Sequence, residues 1–205
     1  KEHASTIEEA RADLFGLYYL ADPKLVELGL LPNREAYKAG YYQQMMNGAM
    51  TQLVRIEEGK DVEEAHMRNR QLIANWVLEH ANGEMEIIER DGKHYLRIND
   101  YEGVRRLFGE LLAEIQRITS EGDYPAAKEM VEKYAVKVNP ELHKEIRERY
   151  AKLNLAPYKG FVNPVYTAIK DADGNITDVK IDFTEGYIEQ HLRYSRYYSP
   201  LPDVN

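Results

Sequence analysis

The apolar positions along most of this chain recur at the spacing of a helix. Runs with apolar residues three and four positions apart, bounded by Pro or Gly, predict helices. The first run begins near residue 5 and is interrupted at Asp22-Pro23. Further helices are predicted over about residues 33–57, 62–81, 100–122, 123–136 and 139–153, with a short last one from 187 that ends at Pro200.

Two segments change to the pattern of a β-hairpin. Asp91-Gly92 separates two runs rich in Ile, Leu and Tyr, and Asp173-Gly174-Asn175 separates a second such pair. An Asp-Gly step between such runs is a strong hairpin signal. The sequence therefore predicts an α+β fold that is predominantly helical, with two β-hairpins. We expect one domain over residues 1–205, with helices over 1–82, a hairpin over 83–99, helices over 100–155, and a hairpin and tail over 156–205.

An acidic cluster lies near the start of the first helix. Ser5 or Thr6 followed three residues later by Glu8 or Glu9 is a capping-box pattern. On a helix, Glu9 and Asp13 share a face, whereas Glu8 lies about 100° away from Glu9. Anions are stabilised near a helix N-terminus, which suits a cap and a metal ligand equally. The spacing alone favours the cap.

A second candidate site is the stretch EEAHMRNRQLI. His66 and Arg70 stand four residues apart, so both project from one helix face and could bind a carbonyl or carboxylate of a substrate. The alternative is a surface helix in which Glu63 and Glu64 pair with Arg68 and Arg70. Without other information, the surface helix is the more common arrangement.

Composition narrows the classes of function. The chain has 205 residues, 43% of them hydrophobic and 30% charged, with a formal net charge of -8. This charge argues against a nucleic-acid or anionic-membrane surface, and no apolar run approaches the roughly 20 residues that span a bilayer. Cys is absent, so a metal ligand must be His, Asp or Glu. The phosphate-binding glycine motifs, the G-x-S-x-G motif and the H-E-x-x-H motif are also absent.

Taken in order, three stretches resemble one family. EEARADLFGLYYLADPKLVELG resembles the E-E-C-R-A-E signature and following G-L-Y-L helix of the dipeptidyl peptidase III family of zinc metallopeptidases. EAHMRNRQLI is similar to the A-H-M-x-x-R helix of that family, and TSEGDYPAAKEMVEKYAV resembles its S-T-G-D turn with a later G-Y-A. The similarity is colinear and extends to about Leu155.

The resemblance implies roles for five residues. In that family an H-E-x-x-G-H helix supplies two zinc-binding His and a general-base Glu, and the third protein ligand is the residue that corresponds to Glu9. Glu8 and Asp13 would orient the zinc-bound imidazoles. His66 would contact the substrate or the developing oxyanion, and Arg70 would bind the peptide. The implied activity is release of dipeptides from the N-terminus of short peptides, with one zinc ion.

The chain also departs from the family pattern. Ala10 replaces the signature Cys, and Asp13 replaces a Glu, which shortens that side chain by one methylene. A family Arg after a V-x-P-x-x segment is unmatched, since Thr167 stands there and Lys170 is the nearest cation. No H-E-x-x-G-H precedes Glu8 in this chain.

We therefore expect the C-terminal portion of the zinc-bearing lobe of a two-lobed, cytoplasmic metallopeptidase, inactive as an isolated chain. Its partners would be short peptides and the remaining N-terminal part of the same polypeptide, with no nucleic acid and no membrane. The alternative is a non-catalytic helical domain that binds peptides or acts as a scaffold, or an interaction domain whose motif matches are fortuitous. An oxidoreductase is least supported, because no phosphate-binding loop is present.

Overall fold

A computed structural model describes residues 3–155 and 162–198, so the predicted helix end at Pro200 lies outside the described residues. The chain forms two compact units, residues 1–154 and 155–205. Seven helices belong to the first unit: α1 Ala4–Leu20, α2 Pro23–Glu27, α3 Tyr37–Ala49, α4 Ala65–His80, α5 Tyr101–Glu121, α6 Tyr124–Val131 and α7 Pro140–Ala151. The same unit has a 3₁₀ turn at Thr51–Arg55, a π-helical turn at Glu132–Val136 and the strands β1 Met85–Arg90 and β2 Lys93–Ile98.

The second unit contains the strands β3 Val165–Lys170 and β4 Ile176–Asp182, followed by helix α8 Tyr187–Tyr198. Both strand pairs are antiparallel hairpins. In the first, Asp91 and Gly92 have φ values of 53° and 67°, the left-handed pair that a type I′ turn requires. The predicted fold class, predominantly helical α+β with two hairpins, is confirmed.

The core of the first unit is built by α1, α3, α4 and α5, whose apolar faces are buried together. Its largest fully buried side chains include Leu14, Tyr41, Met45, Leu72 and Phe108. The rings of Tyr41 and Phe108 lie 4.9 Å apart at 77°, an edge-to-face contact that joins α3 to α5. The residues of α4 from 71 to 74 are all buried, which makes α4 the central helix.

Helices α3 and α4 approach most closely at Gly48. A Cβ built on Gly48 would lie 2.2 Å from the Arg70 carbonyl oxygen and 3.0 Å from the Ala74 Cβ. Only a residue without a side chain fits there. The contact therefore fixes the distance of α4, the helix of His66 and Arg70, from α3.

The predicted capping box at Ser5 or Thr6 is wrong. Helix α1 begins at Ala4, and its N-cap residue is His3, whose side chain makes no capping hydrogen bond. Ser5 and Thr6 lie within the helix, and Thr6 is only 1% exposed. The first turn of α1 holds no acidic residue, so Glu8 and Glu9 lie beyond the amides that a cap would satisfy.

Helix α4, by contrast, has an acidic cap. The Glu64 carboxylate accepts hydrogen bonds from the backbone N–H groups of His66 and Met67, at 2.8 and 2.9 Å. Burial raises the pKa of Glu64, but these two backbone hydrogen bonds outweigh it, and its pKa is lowered overall. The ionised carboxylate therefore anchors the first turn of α4.

Gly48→Ala should lower the free energy of unfolding by about 1–3 kcal/mol, because the methyl group meets backbone atoms of α4 that cannot move independently. Gly16→Ala is the matched control, since Gly16 is an exposed residue of α1 with nothing within 4 Å of an added Cβ. It should stabilise α1 by about 0.5–1 kcal/mol through helix propensity. Denaturant unfolding measures both changes. Equal effects of the two substitutions would show that α3 and α4 are not in close contact.

Glu64→Ala should lower the free energy of unfolding by about 1 kcal/mol at pH 7, because two backbone N–H groups lose their acceptor. The folded-state pKa of Glu64 is depressed, so its contribution is present above the unfolded pKa and is lost as pH falls through the folded pKa. The difference from wild type should shrink over that acidic range. The exposed neighbour Glu63 provides the control. Glu63→Ala should change neither the free energy of unfolding at pH 7 nor its dependence on pH.

Candidate functional site

The two separate stretches that the sequence singled out meet where α1 lies beside α4. The Nδ1 atom of His66 is 3.2 Å from the Oε2 atom of Glu9, and their side chains are 57% and 37% exposed. Ala10 and Leu14 are buried in the core next to this contact. Helix α1 therefore presents Glu9 at the flank of its buried face, within reach of a His in the first turn of α4.

The surface ion pairs that were the alternative for α4 are not formed. Glu64 serves as the helix cap, and Arg68 donates from Nε to the backbone oxygen of Val62 at 2.7 Å. Among the described residues, neither Arg68 nor Arg70 has an ion pair with Glu63 or Glu64. Arg70 is half-buried one turn after His66. Within the described ranges it has no hydrogen bond or ion pair with Glu9, so its predicted part in a shared site stays a prediction.

Glu8 has a different partner from Glu9. Its two carboxylate oxygens accept hydrogen bonds from Nε and Nη2 of Arg11, at 3.1 and 2.6 Å. These bonds lower the pKa of Glu8. Arg11 also donates from Nη1 to Gln116 of α5, at 3.4 Å. Glu8 is thus an ionised, exposed carboxylate paired along its own helix, and its predicted role of orienting an imidazole stays a prediction.

Asp13 has a partner on a third helix. The Nε2 atom of Gln44, in α3, donates to the Oδ2 atom of Asp13 at 3.2 Å. Both side chains are half-buried. The two residues are 31 positions apart in the chain, and nothing in the sequence indicates this contact. By contrast, the spacing of Glu8 and Arg11 is a helical pair that sequence inspection could have found.

The donor chemistry of the site suits one ligand of a metal ion. Zinc accepts carboxylate oxygen, and Glu9 is partly exposed, with its Oε2 atom 3.2 Å from His66. Among residues 3–155 and 162–198, no group of three or more His, Asp or Glu is placed to hold a metal. These residues therefore offer a single carboxylate ligand next to an imidazole.

Two other features are described by themselves. A cavity of about 1070 Å³ lies between α1 and α5, lined by the rings of Phe15, Tyr18 and Tyr19 among others. In the second unit, Thr167 and Lys170 are exposed residues of β3.

Of the helices in the described parts of the chain, none is long and apolar enough to cross a bilayer.

Comparison with known proteins concerns the family of this chain. No curated protein matches the chain. Among solved structures, it is similar to DPP III from Caldithrix abyssi, with 26% identity and a TM-score of 0.52. That match covers 73% of this chain and 25% of the other, so the chain corresponds to about a quarter of that protein's length. The family model described as peptidase family M49 matches residues 1–192. The chain belongs to peptidase family M49.

Proposed function

We propose that this chain forms part of a zinc-dependent exopeptidase that releases dipeptides from the N-terminus of short peptides. In this proposal Glu9 is one zinc ligand, and the other ligands lie on an H-E-x-x-G-H helix in the remaining part of the same polypeptide. Membership of a peptidase family supports hydrolysis of peptides. The single observation that carries the proposal is the contact between Glu9 and His66, 3.2 Å apart on α1 and α4.

The acid and the imidazole complement each other chemically. When bound, zinc would polarise the scissile carbonyl and lower the pKa of a water molecule. Glu9 would contribute one carboxylate oxygen to the metal, and its Oε2 atom lies 3.2 Å from Nδ1 of His66. In this proposal a ring N–H of His66 would donate to the substrate oxygen that becomes negative.

One cation and two acids complete the proposed site. Arg70, one turn beyond His66 on α4, binds a carbonyl or carboxylate of the peptide. Glu8 and Asp13 flank Glu9 on α1, and their carboxylates can accept N–H groups from zinc-bound imidazoles. For Glu8 this requires an exchange, since Arg11 occupies both of its oxygens.

A second candidate function has one observation in its favour. The cavity of about 1070 Å³ between α1 and α5 is bordered by aromatic rings, and Phe15 is 59% exposed. Aromatic clefts of this size suit an apolar ligand or peptide segment. A helical domain that binds peptides without catalysis would use this cavity and would need no metal.

In the full-length protein, substitutions at three neighbouring residues should have three different effects. Glu9→Ala should abolish zinc retention and peptide turnover together, because it removes a ligand. Glu8→Ala should lower metal affinity or activity by about 10- to 100-fold. His66→Ala should leave the zinc content intact and lower kcat, with a cost of roughly 3 kcal/mol if the donor acts on the oxyanion. Zinc per molecule and dipeptide release measure these effects.

The non-catalytic alternative predicts another outcome for the same variants. In that case no variant changes zinc content, and wild type releases no dipeptide. Equal zinc in wild type and Glu9→Ala would rule out Glu9 as a ligand. Glu63→Ala, on the exposed turn before α4, is the control and should match wild type in both measurements.

The isolated chain should bind zinc weakly or not at all, because one carboxylate does not replace three protein ligands. Titration calorimetry with zinc, and with an equimolar chelator as competitor, measures the affinity. Addition of the remaining polypeptide should restore retention of one zinc per complex. Tight stoichiometric binding by the isolated chain that survives Glu9→Ala would mean that the metal site lies elsewhere.

A further inference from the structure

We infer that Gln44 is a positioning residue for Asp13, and through it for the metal site; this inference rests on the proposed function. The hydrogen bond from Gln44 Nε2 to Asp13 Oδ2, at 3.2 Å, links α3 to α1. Asp13 lies one helical turn after Glu9 on the same face of α1. Gln44 therefore donates to Asp13, the next carboxylate on that face after the proposed ligand Glu9.

The hydrogen bond orients the carboxylate rather than neutralising it. An amide N–H donor holds one oxygen of Asp13 without supplying a charge. Its other oxygen, Oδ1, has no hydrogen-bond partner among the described residues and stays available to accept an N–H group. A carboxylate held in this way can fix the ring of a metal-binding His, which is the usual task of such a partner.

The surroundings of Gln44 make its side chain a defined anchor. Its neighbour Met45 is fully buried in the core, and Tyr41, one turn earlier on α3, is also fully buried. Gln44 is half-buried on the side of α3 that faces Asp13, while Gln43 is exposed. The side chain of Gln44 thus extends from a part of α3 whose neighbouring residues Tyr41 and Met45 are packed into the core.

A short carboxylate needs such an anchor more than a long one. An Asp side chain has one rotatable bond fewer than a Glu side chain, so it reaches less far from α1 and has fewer ways to meet a partner. The hydrogen bond from a second helix compensates by selecting one orientation. Gln44 then determines how firmly an imidazole is held, without contacting the metal or the substrate itself.

The test compares two adjacent glutamines in the full-length protein. Gln44→Leu removes the donor at nearly constant volume and should weaken zinc binding by on the order of 10-fold. Gln43→Leu is the matched control and should bind zinc as wild type does. Zinc affinity is measured by competition with a chelator, and the thermal midpoint of the zinc-free protein reports whether each variant is folded. In the background Asp13→Ala, adding Gln44→Leu should cause no further loss.

A second variant covers the case in which Gln44→Leu does not fold. Gln44→Glu keeps the size of the side chain but places an acceptor next to Asp13, so it should weaken zinc binding at least as much. Wild-type affinity in the folded Gln44 variants would overturn the inference and leave the proposed function standing. A loss that persists undiminished in the Asp13→Ala background would also overturn it, because Gln44 would then act on another group. Absence of zinc binding by wild type would overturn the inference and the proposed function together.

Discussion

The backbones of α3 and α4 touch at Gly48, and the placement of the candidate site depends on that contact. An added methyl group would collide with the Arg70 carbonyl oxygen, 2.2 Å away. The contact sets the position of α4 relative to α3, and the core between α1 and α4 sets it relative to α1. His66 then lies beside Glu9 as a consequence of backbone packing. The contact between the two side chains contributes little to the free energy of unfolding, because both are substantially exposed.

The three acids of α1 illustrate how one helix can give similar side chains different surroundings. Glu8 pairs with Arg11 on the same helix, Glu9 approaches His66 on α4, and Asp13 accepts from Gln44 on α3. Each direction follows from the position around the helix axis. These three carboxylates do not cap the N-terminus of α1, because the helix begins at Ala4, before all of them.

The sequence predicted those features that depend on local chemistry. The Asp91-Gly92 turn requires left-handed backbone at both residues, and Asp and Gly are the residues that tolerate it. Spacing alone misplaced the start of α1, because Ser5 and Thr6 favour an N-cap but also fit inside a helix whose face buries Thr6. The resemblance to a family predicted that Glu9 and His66 lie close together. The contact between Asp13 and Gln44, in contrast, depends on tertiary packing that no local pattern encodes.

Under the proposed function, α1 and α4 bring a zinc ligand and a substrate-contacting His into one site. A crystal structure of the zinc-loaded full-length protein, with zinc located by its anomalous scattering, tests it most directly. We expect a Glu9 oxygen about 2.0–2.2 Å from zinc, with His66 still beside Glu9 and facing the cleft. Zinc bound without Glu9, or His66 turned away from the metal, would contradict it.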